Sequence, residues 1–237
     1  MNEANAVIGV IIPALNEEKS IAHVLREIPA EVREVVVVDN GSSDQTAAVA
    51  QKAGATVLQE LQKGYGYACL KGLDYFRQGP PDIVVFLDGD YSDYPEDLAL
   101  LLAPMLSGKA DFVVGARRAS HRAKGALTPQ QIFGNALACW LMKILYGGQF
   151  TDLGPFRAIR WQTLQQLQMT DKTYGWTVEM QLKVLRYKIP YQEVPVRYRQ
   201  RIGVSKVSGT IKGTIFAGVK ILGWVFKYYF QKNERVD

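Results

Sequence analysis

The sequence contains few cysteines and no long hydrophobic run. Only two of the 237 residues are cysteine, and Cys69 and Cys139 lie far apart without the spacing of metal ligands. We interpret them as buried small hydrophobic side chains in a reducing compartment. No uninterrupted apolar run approaches the roughly 20 residues that a membrane-spanning helix needs. The first five residues lack a basic region followed by an apolar core, so we expect no signal peptide.

The composition is that of an ordinary globular protein. Hydrophobic residues make up 48% of the chain and charged residues 22%, which excludes an intrinsically disordered chain. We find no internal repeat and no low-complexity tract. The length suits one well-buried α/β domain with a small appendage.

The charge is divided unevenly between the two halves of the chain. Residues 1–115 contain 8 Lys/Arg and 17 Asp/Glu, a net charge of −9, whereas residues 116–237 contain 20 and 6, a net charge of +14. A basic half indicates an anionic partner, such as a nucleic acid, a phosphorylated substrate or an anionic membrane surface. The alternative is a solvated basic face without a partner.

Strand-like and helix-like segments alternate through the first half. The predicted strands are residues 7–12, 34–38, 55–58, 82–87 and 111–114. The predicted helices between them are residues 17–28, 44–53, 65–77 and 95–107. This alternation predicts a mostly parallel sheet with helices on both faces.

The second half begins with a basic, polar stretch, residues 117–128, which we interpret as a loop. It continues with predicted helices at residues 129–146 and 174–188, and with predicted strands at residues 156–160 and 191–196. Residues 210–230 are strongly apolar, yet they include Lys212, Lys220 and Lys227, which fall within about 80° of one another on a helix. Such a helix suits a membrane interface, and a core helix that packs on the sheet is the equal alternative.

The most informative segment is Asp88-Gly89-Asp90, which follows the apolar strand 83–87. Two carboxylates just beyond the carboxyl end of a buried strand lie where open α/β sheets bind ligands. Gly89 keeps the turn permissive, so both acids can face one hard cation that neutralises a diphosphate.

Other polar groups end neighbouring strands at the same predicted edge. Residues 13–17 (Pro-Ala-Leu-Asn-Glu) follow the first strand, and Asp39 ends the second. Asn16 and Asp39 alternatively cap helices. Lys63 and Gly64 open a helix whose N-terminus suits an anion, although the spacing excludes the G-x-G-x-x-G dinucleotide motif. The alternative there is a plain loop-to-helix transition.

Together these segments resemble glycosyltransferase family 2. The resemblance rests, in chain order, on residues 13–17, 38–44, 63–64, 87–90 with Pro95, and 115–117. In the second half, residues 151–158 and 201–206 resemble the dolichyl-phosphate mannose/glucose synthase branch. Two departures stand out: Ser92 occupies a position where this branch often has Gln, and the C-terminal transmembrane helices of many members are absent.

The resemblance implies a GT-A fold, an α/β structure with a mostly parallel Rossmann-like sheet and a C-terminal amphipathic helix. It implies a catalytic domain at residues 1–205, with a nucleotide-sugar and metal half (1–115) and an acceptor half (116–205). Residues 206–237 form the membrane-interface or docking helix. The implied reaction is metal-dependent and inverting, and moves a hexose from a UDP- or GDP-sugar to a polyprenyl (dolichyl-type) phosphate.

The resemblance also assigns site residues. The acidic tripeptide is the DXD motif of the family, with Asp88 and Asp90 as ligands of Mg²⁺ or Mn²⁺. The expected donor-binding residues are Pro13, Leu15, Asn16, Glu17, Asp39, Lys63, Gly64, Asp88, Gly89 and Asp90. The expected catalytic residues are Asp88, Asp90 and Asp152, although Asp152 alternatively orients an arginine or forms a structural ion pair. Guanidinium groups bind phosphate bidentately, and the expected acceptor-phosphate ligands are Arg117, Arg157, Arg201 and Lys206.

We therefore expect a cytoplasmic enzyme, peripheral at the cytoplasmic face of the membrane through residues 210–230. Its expected partners are a nucleotide diphosphate sugar and a polyprenyl phosphate, and no nucleic acid. The alternatives are a family 2 transferase with a soluble acceptor, a non-catalytic nucleotide-sugar-binding protein, and a nucleic-acid-binding protein. Residues 1–115 contain the predicted ligand-binding edge of the sheet and have a net charge of −9, which argues against nucleic-acid binding.

Overall fold

The computed structural model describes residues 6–203 and 211–230, and it describes side chains throughout these ranges except at residues 211–217. The strands are β1 (Ile8–Ala14), β2 (Val32–Asp39), β3 (Thr56–Gln59), β4 (Ile83–Phe86), β5 (Phe112–Ala116), β6 (Arg157–Arg160) and β7 (Tyr191–Pro195). The helices are α1 (Ile21–Glu27), α2 (Thr46–Lys52), α3 (Tyr65–Phe76), α4 (Leu98–Leu106), α5 (Pro129–Tyr146), α6 (Trp161–Leu167), α7 (Trp176–Arg186) and α8 (Ile211–Phe230).

The strands form one sheet in the order β3-β2-β1-β4-β6-β5-β7. β6 is antiparallel to both of its neighbours, and the other pairs are parallel. The predicted α/β class with a mostly parallel sheet is therefore confirmed. The register pairs Ala14 with Asp39 and Ile11 with Phe86, so the carboxyl ends of β1, β2 and β4 meet at one edge.

Two apolar layers cover the sheet because strand side chains alternate between its faces. On one face, Ile11 and Phe86 pack with buried residues of α3, α5, α7 and α8. On the other face, Ile12 and Val85 pack with buried residues of α1, α2 and α4. Both cysteines are free and buried in the first layer, as expected.

Helix α8 packs against α5 and α7, where Val225 is fully buried. The indole Nε1 of Trp224 donates to Asp171 Oδ2 at 2.6 Å, and Lys220 forms an ion pair with the same oxygen at 3.0 Å. No helix in the described ranges is long and apolar enough to cross a membrane. The domain boundary that we predict at residues 205–206 lies outside the described residues.

The short helix α6 has no counterpart in the sequence-based prediction. It has seven residues, and its N-cap residue Arg160 makes no side-chain capping hydrogen bond. Because local start signals are absent there, the helix depends on tertiary packing, through Leu164 and Leu167 in the core.

Candidate active site

A cavity of about 530 Å³ lies at the carboxyl edge of the sheet, between the ends of β1 and β4 and helices α5 and α8. Most of the predicted donor and acceptor residues line it. They are Pro13, Leu15, Glu17, Lys63, Gly64, Asp88, Gly89, Asp90, Arg117 and Arg201. The cavity therefore brings together residues from the acidic and the basic half of the chain.

Asp88 and Asp90 form the acidic side of this cavity. The Tyr65 hydroxyl donates to Asp88 Oδ1 at 3.2 Å. Burial, together with the charge of Asp90, raises the pKa of Asp88 to about 6. Ser92 donates to Asp90 Oδ1 from its backbone N at 2.9 Å and from Oγ at 2.5 Å, so Ser92 orients Asp90.

The chain after β7 runs beside the acidic turn. Arg199 N donates to the Ser92 carbonyl at 2.8 Å and Ile202 N to the Asp90 carbonyl at 2.9 Å. This pairing brings Arg201 onto the acidic residues, with its Nη1 2.9 Å from Asp90 Oδ2. Burial opposes the charged form of Arg201, but the charge of Asp90 outweighs it and raises the pKa of Arg201.

The acidic turn fits a divalent cation. Asp88 and Asp90 offer hard oxygen ligands, and Asp90 already binds a positive charge, the guanidinium of Arg201. Within the described residues no group of three or more His, Cys, Asp or Glu side chains converges on one point. One or two carboxylates that act with substrate phosphates are the usual ligands of Mg²⁺ in nucleotide enzymes. The donor set therefore suits Mg²⁺ or Mn²⁺ in the presence of a diphosphate.

Arg117 and Asp152 form a bidentate ion pair. Arg117 donates from Nε at 2.8 Å and from Nη2 at 2.7 Å, and its backbone N donates to Asp152 Oδ2 at 2.7 Å. Burial would raise the pKa of Asp152, but the charge and hydrogen bonds of Arg117 hold it below its usual value. The Glu193 carboxylate accepts from Asp152 N at 3.0 Å and from Thr151 N at 2.7 Å, which fixes this loop. Asp152 thus orients the arginine, one of the roles predicted for it.

Arg157 has a different environment from the other predicted phosphate ligands. It is fully buried, and its guanidinium donates to the carbonyls of Leu153 (3.0 Å), Thr177 (2.9 Å) and Gly154. Burial lowers the pKa of Arg157 to about 10. Because these carbonyls occupy the guanidinium, we correct the expectation and leave Arg157 out of the phosphate-binding set. Lys206 lies outside the described residues.

Asn16 and Asp39 hold the loop after β2. Asn16 has a φ of 55° and its Oδ1 accepts from Ser43 N at 2.8 Å. Asp39 Oδ1 accepts from Ser42 N at 3.1 Å. Neither side chain caps a helix, because the N-cap residues of α1 and α2 are Ser20 and Gln45. Contact of Asn16 and Asp39 with a donor stays a prediction.

Asn40 is a cavity residue that the sequence interpretation missed. Its Nδ2 donates to the carbonyls of Glu60 at 2.9 Å and Gln62 at 2.7 Å, and its Oδ1 accepts from Gly64 N at 2.7 Å. Asn40 therefore ties the loop before α3 to the end of β2. The signal in the sequence that could have identified Asn40 is its position directly after Asp39, at the carboxyl end of β2.

The N-terminus of α3 is partly occupied by the chain itself. Gly66 N donates to the Thr173 carbonyl at 3.2 Å and Tyr67 N to the Lys172 carbonyl at 3.0 Å. A Cβ on Gly64 would lie 2.2 Å from the Lys172 carbonyl oxygen, and the φ of Gly64 is +152°. The close approach of the chain at residues 171–172 therefore explains Gly64 and Gly66, as the loop-to-helix interpretation requires. Lys63 still lines the cavity.

Two buried carboxylates organise the loop that meets α3. Glu179 accepts from Thr170 N at 3.0 Å and from Asp171 N at 2.7 Å, and pairs with Lys183 at 2.8 Å. Asp171 Oδ1 accepts from Thr173 N at 2.7 Å. Because Trp224 of α8 also binds Asp171, α8 and this wall of the cavity form one hydrogen-bonded unit.

Known proteins share this architecture. The family model described as "Glycosyl transferase family 2" matches residues 9–173. The chain is 31% identical to an undecaprenyl-phosphate mannosyltransferase of Micrococcus luteus, over 90% of this chain and 92% of that protein. It is 30% identical to a dolichyl-phosphate hexose transferase of Haloferax volcanii, over 84% of this chain and 86% of that protein.

A solved structure has the same fold. Glucosyl-3-phosphoglycerate synthase from Mycobacterium tuberculosis, in complex with Mn²⁺, UDP and phosphoglyceric acid, superposes with a TM-score of 0.76 at 20% identity. The match covers 98% of this chain and 82% of that protein. This likeness confirms the predicted GT-A fold. With the family match over residues 9–173, it follows that this chain is a glycosyltransferase and belongs to glycosyltransferase family 2.

Proposed function

We propose that this enzyme transfers a hexose from a UDP- or GDP-sugar to a polyprenyl phosphate at a membrane surface. The observation that carries the proposal is the presence of both acidic and basic side chains in one cavity. Asp88 and Asp90 line it together with Arg117 and Arg201, and Arg201 is paired with Asp90. The names of two relatives, an undecaprenyl-phosphate mannosyltransferase and a dolichyl-phosphate hexose transferase, support this acceptor class.

The donor is expected along the edge formed by β1, β4 and the start of α3. The lining residues of this part of the cavity are Pro13, Leu15, Glu17, Lys63 and Gly64. A divalent cation bound with the diphosphate would offset the negative charge that builds on the leaving group. Asp90 is our first choice of ligand, and Asp88 contacts the metal or the ribose.

The acceptor phosphate is expected at Arg117 and Arg201. A phosphate monoester has a second pKa of about 6, so it is largely dianionic at neutral pH and needs positioning rather than deprotonation. The two hydrogen bonds that the Arg117 guanidinium donates to Asp152 hold this side chain in place. This limits the side-chain entropy that is lost when the acceptor phosphate binds. Attack on the anomeric carbon from the face opposite the diphosphate inverts the configuration through an oxocarbenium-like state.

A lipid-borne acceptor requires the cavity to face a membrane. We expect α8 to contribute to that contact, at the cytoplasmic face, while it remains packed on α5 and α7. The alternative is a soluble phosphorylated acceptor, because arginine binds the phosphate of either molecule equally well. The fold shared with a phosphoglycerate-using enzyme makes this alternative specific enough to test.

One transfer experiment separates these acceptors. Labelled UDP- and GDP-hexoses are incubated with Mn²⁺ and either a short-chain polyprenyl phosphate or phosphoglycerate, and the product is partitioned between organic solvent and water. We expect label in the organic phase only when the polyprenyl phosphate is present, and none with a chelator. Transfer to phosphoglycerate alone would replace the proposal with the soluble acceptor.

A further inference from the structure

Arg199 binds three consecutive carbonyls of the chain that follows Asp90. Its backbone N donates to the Ser92 carbonyl at 2.8 Å. Its side chain donates from Nε to the Tyr91 carbonyl at 2.7 Å and from Nη2 to the Asp93 carbonyl at 3.2 Å. One residue from the chain after β7 therefore holds the whole acidic turn on its outgoing side.

Two aromatic rings contact the guanidinium of Arg199. Its Cζ lies 3.3 Å from the centroid of the Tyr91 ring and 4.1 Å from the centroid of the Tyr94 ring. Cation–π contacts are stronger where the cation is shielded from water, and the Arg199 side chain is only 18% exposed. Hydrogen bonds and ring contacts thus fix this guanidinium together.

Glu27, the last residue of α1, binds Arg199 and Tyr91 at the same time. Its Oε2 accepts from Arg199 Nη2 at 2.6 Å, and its Oε1 accepts from the Tyr91 hydroxyl. Burial would raise the pKa of Glu27, but the hydrogen bonds from Arg199 and Tyr91 hold it below its usual value. One carboxylate therefore joins the residue after Asp90 to the residue two positions before Arg201.

The backbone of Tyr91 has a left-handed conformation, with a φ of 66°, which residues other than glycine rarely adopt. Such a backbone persists where the surrounding contacts enforce it. The bond from the Tyr91 hydroxyl to Glu27 and the bond from Arg199 to the Tyr91 carbonyl are contacts of this kind. Because Asp90 precedes Tyr91, they also fix the direction in which the chain leaves Asp90.

These three residues lie outside the cavity lining, whereas their neighbours Asp90 and Arg201 belong to it. Arg201 Nη1 lies 2.9 Å from Asp90 Oδ2, and Ile202 N donates to the Asp90 carbonyl at 2.9 Å. The chain on both sides of Arg201 is thus tied to the chain around Asp90. Loss of the contacts at Arg199 would loosen this segment and weaken the pair between Arg201 and Asp90.

We propose that Glu27, Tyr91 and Arg199 form a positioning cluster, which we call the latch, that holds Arg201 against Asp90. The latch acts on two ligands in opposite directions. A free cation at Asp90 competes with Arg201, because two positive charges near one carboxylate repel each other, so the latch opposes cation binding. The acceptor phosphate needs Arg201 held near the cavity, so the latch favours its binding. This second effect rests on the proposed function.

The test compares Glu27→Ala with Glu96→Ala in the full chain. Glu96 is the matched control, because it pairs at 3.0 Å with Arg197 of the same segment. Titration calorimetry measures Mn²⁺ binding without donor. We expect Glu27→Ala to bind Mn²⁺ about threefold to tenfold more tightly than wild type, and Glu96→Ala to bind like wild type. Loss of a negative charge or damage to the fold would have the opposite effect, since either weakens cation binding.

A double variant shows whether the latch acts through Arg201. Glu27→Ala/Arg201→Gln should bind Mn²⁺ as tightly as Arg201→Gln alone, because no competing guanidinium is left to loosen. Tyr91→Phe removes only the hydroxyl that binds Glu27, and should tighten Mn²⁺ binding by a smaller factor. It decides the question if circular dichroism shows that Glu27→Ala does not fold. Additive tightening in the double variant, or unchanged or weaker binding in the single variants, would overturn the proposal.

Initial rates with a short-chain polyprenyl phosphate in detergent measure the effect on the acceptor. Glu27→Ala should raise the acceptor KM about threefold to tenfold and leave kcat and the donor KM within about twofold. An unchanged acceptor KM would show that the latch does not place Arg201 for the phosphate.

The Mn²⁺ titration contains no acceptor, so it separates the latch from the proposed function. If wild type glycosylates polyprenyl phosphate but Glu27→Ala binds Mn²⁺ like wild type, the function stands and the latch is wrong. If Mn²⁺ binding tightens as expected but no polyprenyl phosphate is glycosylated, the latch stands and the acceptor is wrong.

Discussion

The guanidinium of Arg201 lies 2.9 Å from Asp90, the carboxylate that we propose as the first metal ligand. A side chain from the basic half thus occupies the acidic side of the cavity. Two cations on one carboxylate oxygen repel each other, so we expect a metal bound at Asp90 to compete with Arg201 and to release it for the acceptor phosphate. This exchange would favour binding of the donor and metal before the acceptor.

Arg201→Gln is expected to tighten Mn²⁺ binding in the absence of donor. The substitution removes the cation that competes for Asp90, and we expect a gain of about tenfold, or about 1.4 kcal/mol. Titration calorimetry at about pH 8 avoids protonation of Asp88, whose pKa is about 6. Arg197→Gln is the control, because Arg197 pairs with Glu96 and Asp97 instead. Unchanged or weaker Mn²⁺ binding by Arg201→Gln would exclude the competition.

Asp90→Ala is expected to abolish metal-dependent transfer and to weaken Mn²⁺ binding at least about a hundredfold, since a carboxylate ligand is lost. Transfer is measured with labelled donor, and Mn²⁺ binding by electron paramagnetic resonance. Asp74→Ala removes an exposed carboxylate on α3 that pairs with Arg77, and should leave both properties unchanged. Full activity of Asp90→Ala would refute the metal assignment.

Asp152→Asn is expected to raise the KM for the acceptor without changing donor affinity, because Arg117 loses its bidentate partner. Breaking a buried ion pair also lowers the free energy of unfolding by about 3 kcal/mol. Asp111→Asn breaks the more exposed pair with Arg160 at 2.9 Å and should cost at most about 1 kcal/mol. Urea unfolding and initial rates measure the two effects. A lower kcat with an unchanged acceptor KM would instead place Asp152 in the chemical step.

Asp93→Asn is expected to change how stability depends on pH. Neither carboxylate oxygen of Asp93 accepts a hydrogen bond from the described part of the chain. Burial, followed by the charges of Asp88 and Asp90, raises the pKa of Asp93 well above its usual value. The folded chain therefore keeps a proton that the unfolded chain releases above about pH 4.

It follows that this carboxyl lowers the free energy of unfolding as pH rises from about 4 toward its raised pKa, by about 1.4 kcal/mol per pH unit. Asn does not titrate, so the variant should gain stability relative to wild type as pH rises from about 4 toward that raised pKa. Urea unfolding with a chelator present measures the difference. A difference that stays constant with pH would show that Asp93 is ionised in the folded protein.

Much of the fold was predictable because its signals are local. Apolar strand patterns and amphipathic helices predicted all seven described strands within a few residues, β6 among them as a short strand at residues 156–160. The antiparallel position of β6 between β4 and β5 was not predictable, since strand order depends on packing of distant segments. Helix α6 was missed for the same reason.

The site was predictable where a motif ends a strand. Asp88 and Asp90 line the cavity as the position after β4 implied, and so do Lys63 and Gly64. Arg157 could not be distinguished from Arg117 in the sequence, because both are arginines beside motif residues. Their difference lies in what surrounds each guanidinium in the folded chain. Backbone carbonyls of residues 153, 154 and 177 surround Arg157, whereas Arg117 pairs with Asp152 and lines the cavity.

The sequence by itself determined the succession of strands and of most helices along the chain, the acidic turn at a strand end and the family. It did so because hydrophobic period, turn residues and motif spacing act between near neighbours. Only the tertiary structure decided that Arg201 lies on Asp90 and that α8 is joined to Asp171. Long cationic side chains take the direction of whichever carboxylate or carbonyl folding brings within reach, and those partners are set by contacts between residues far apart in the chain.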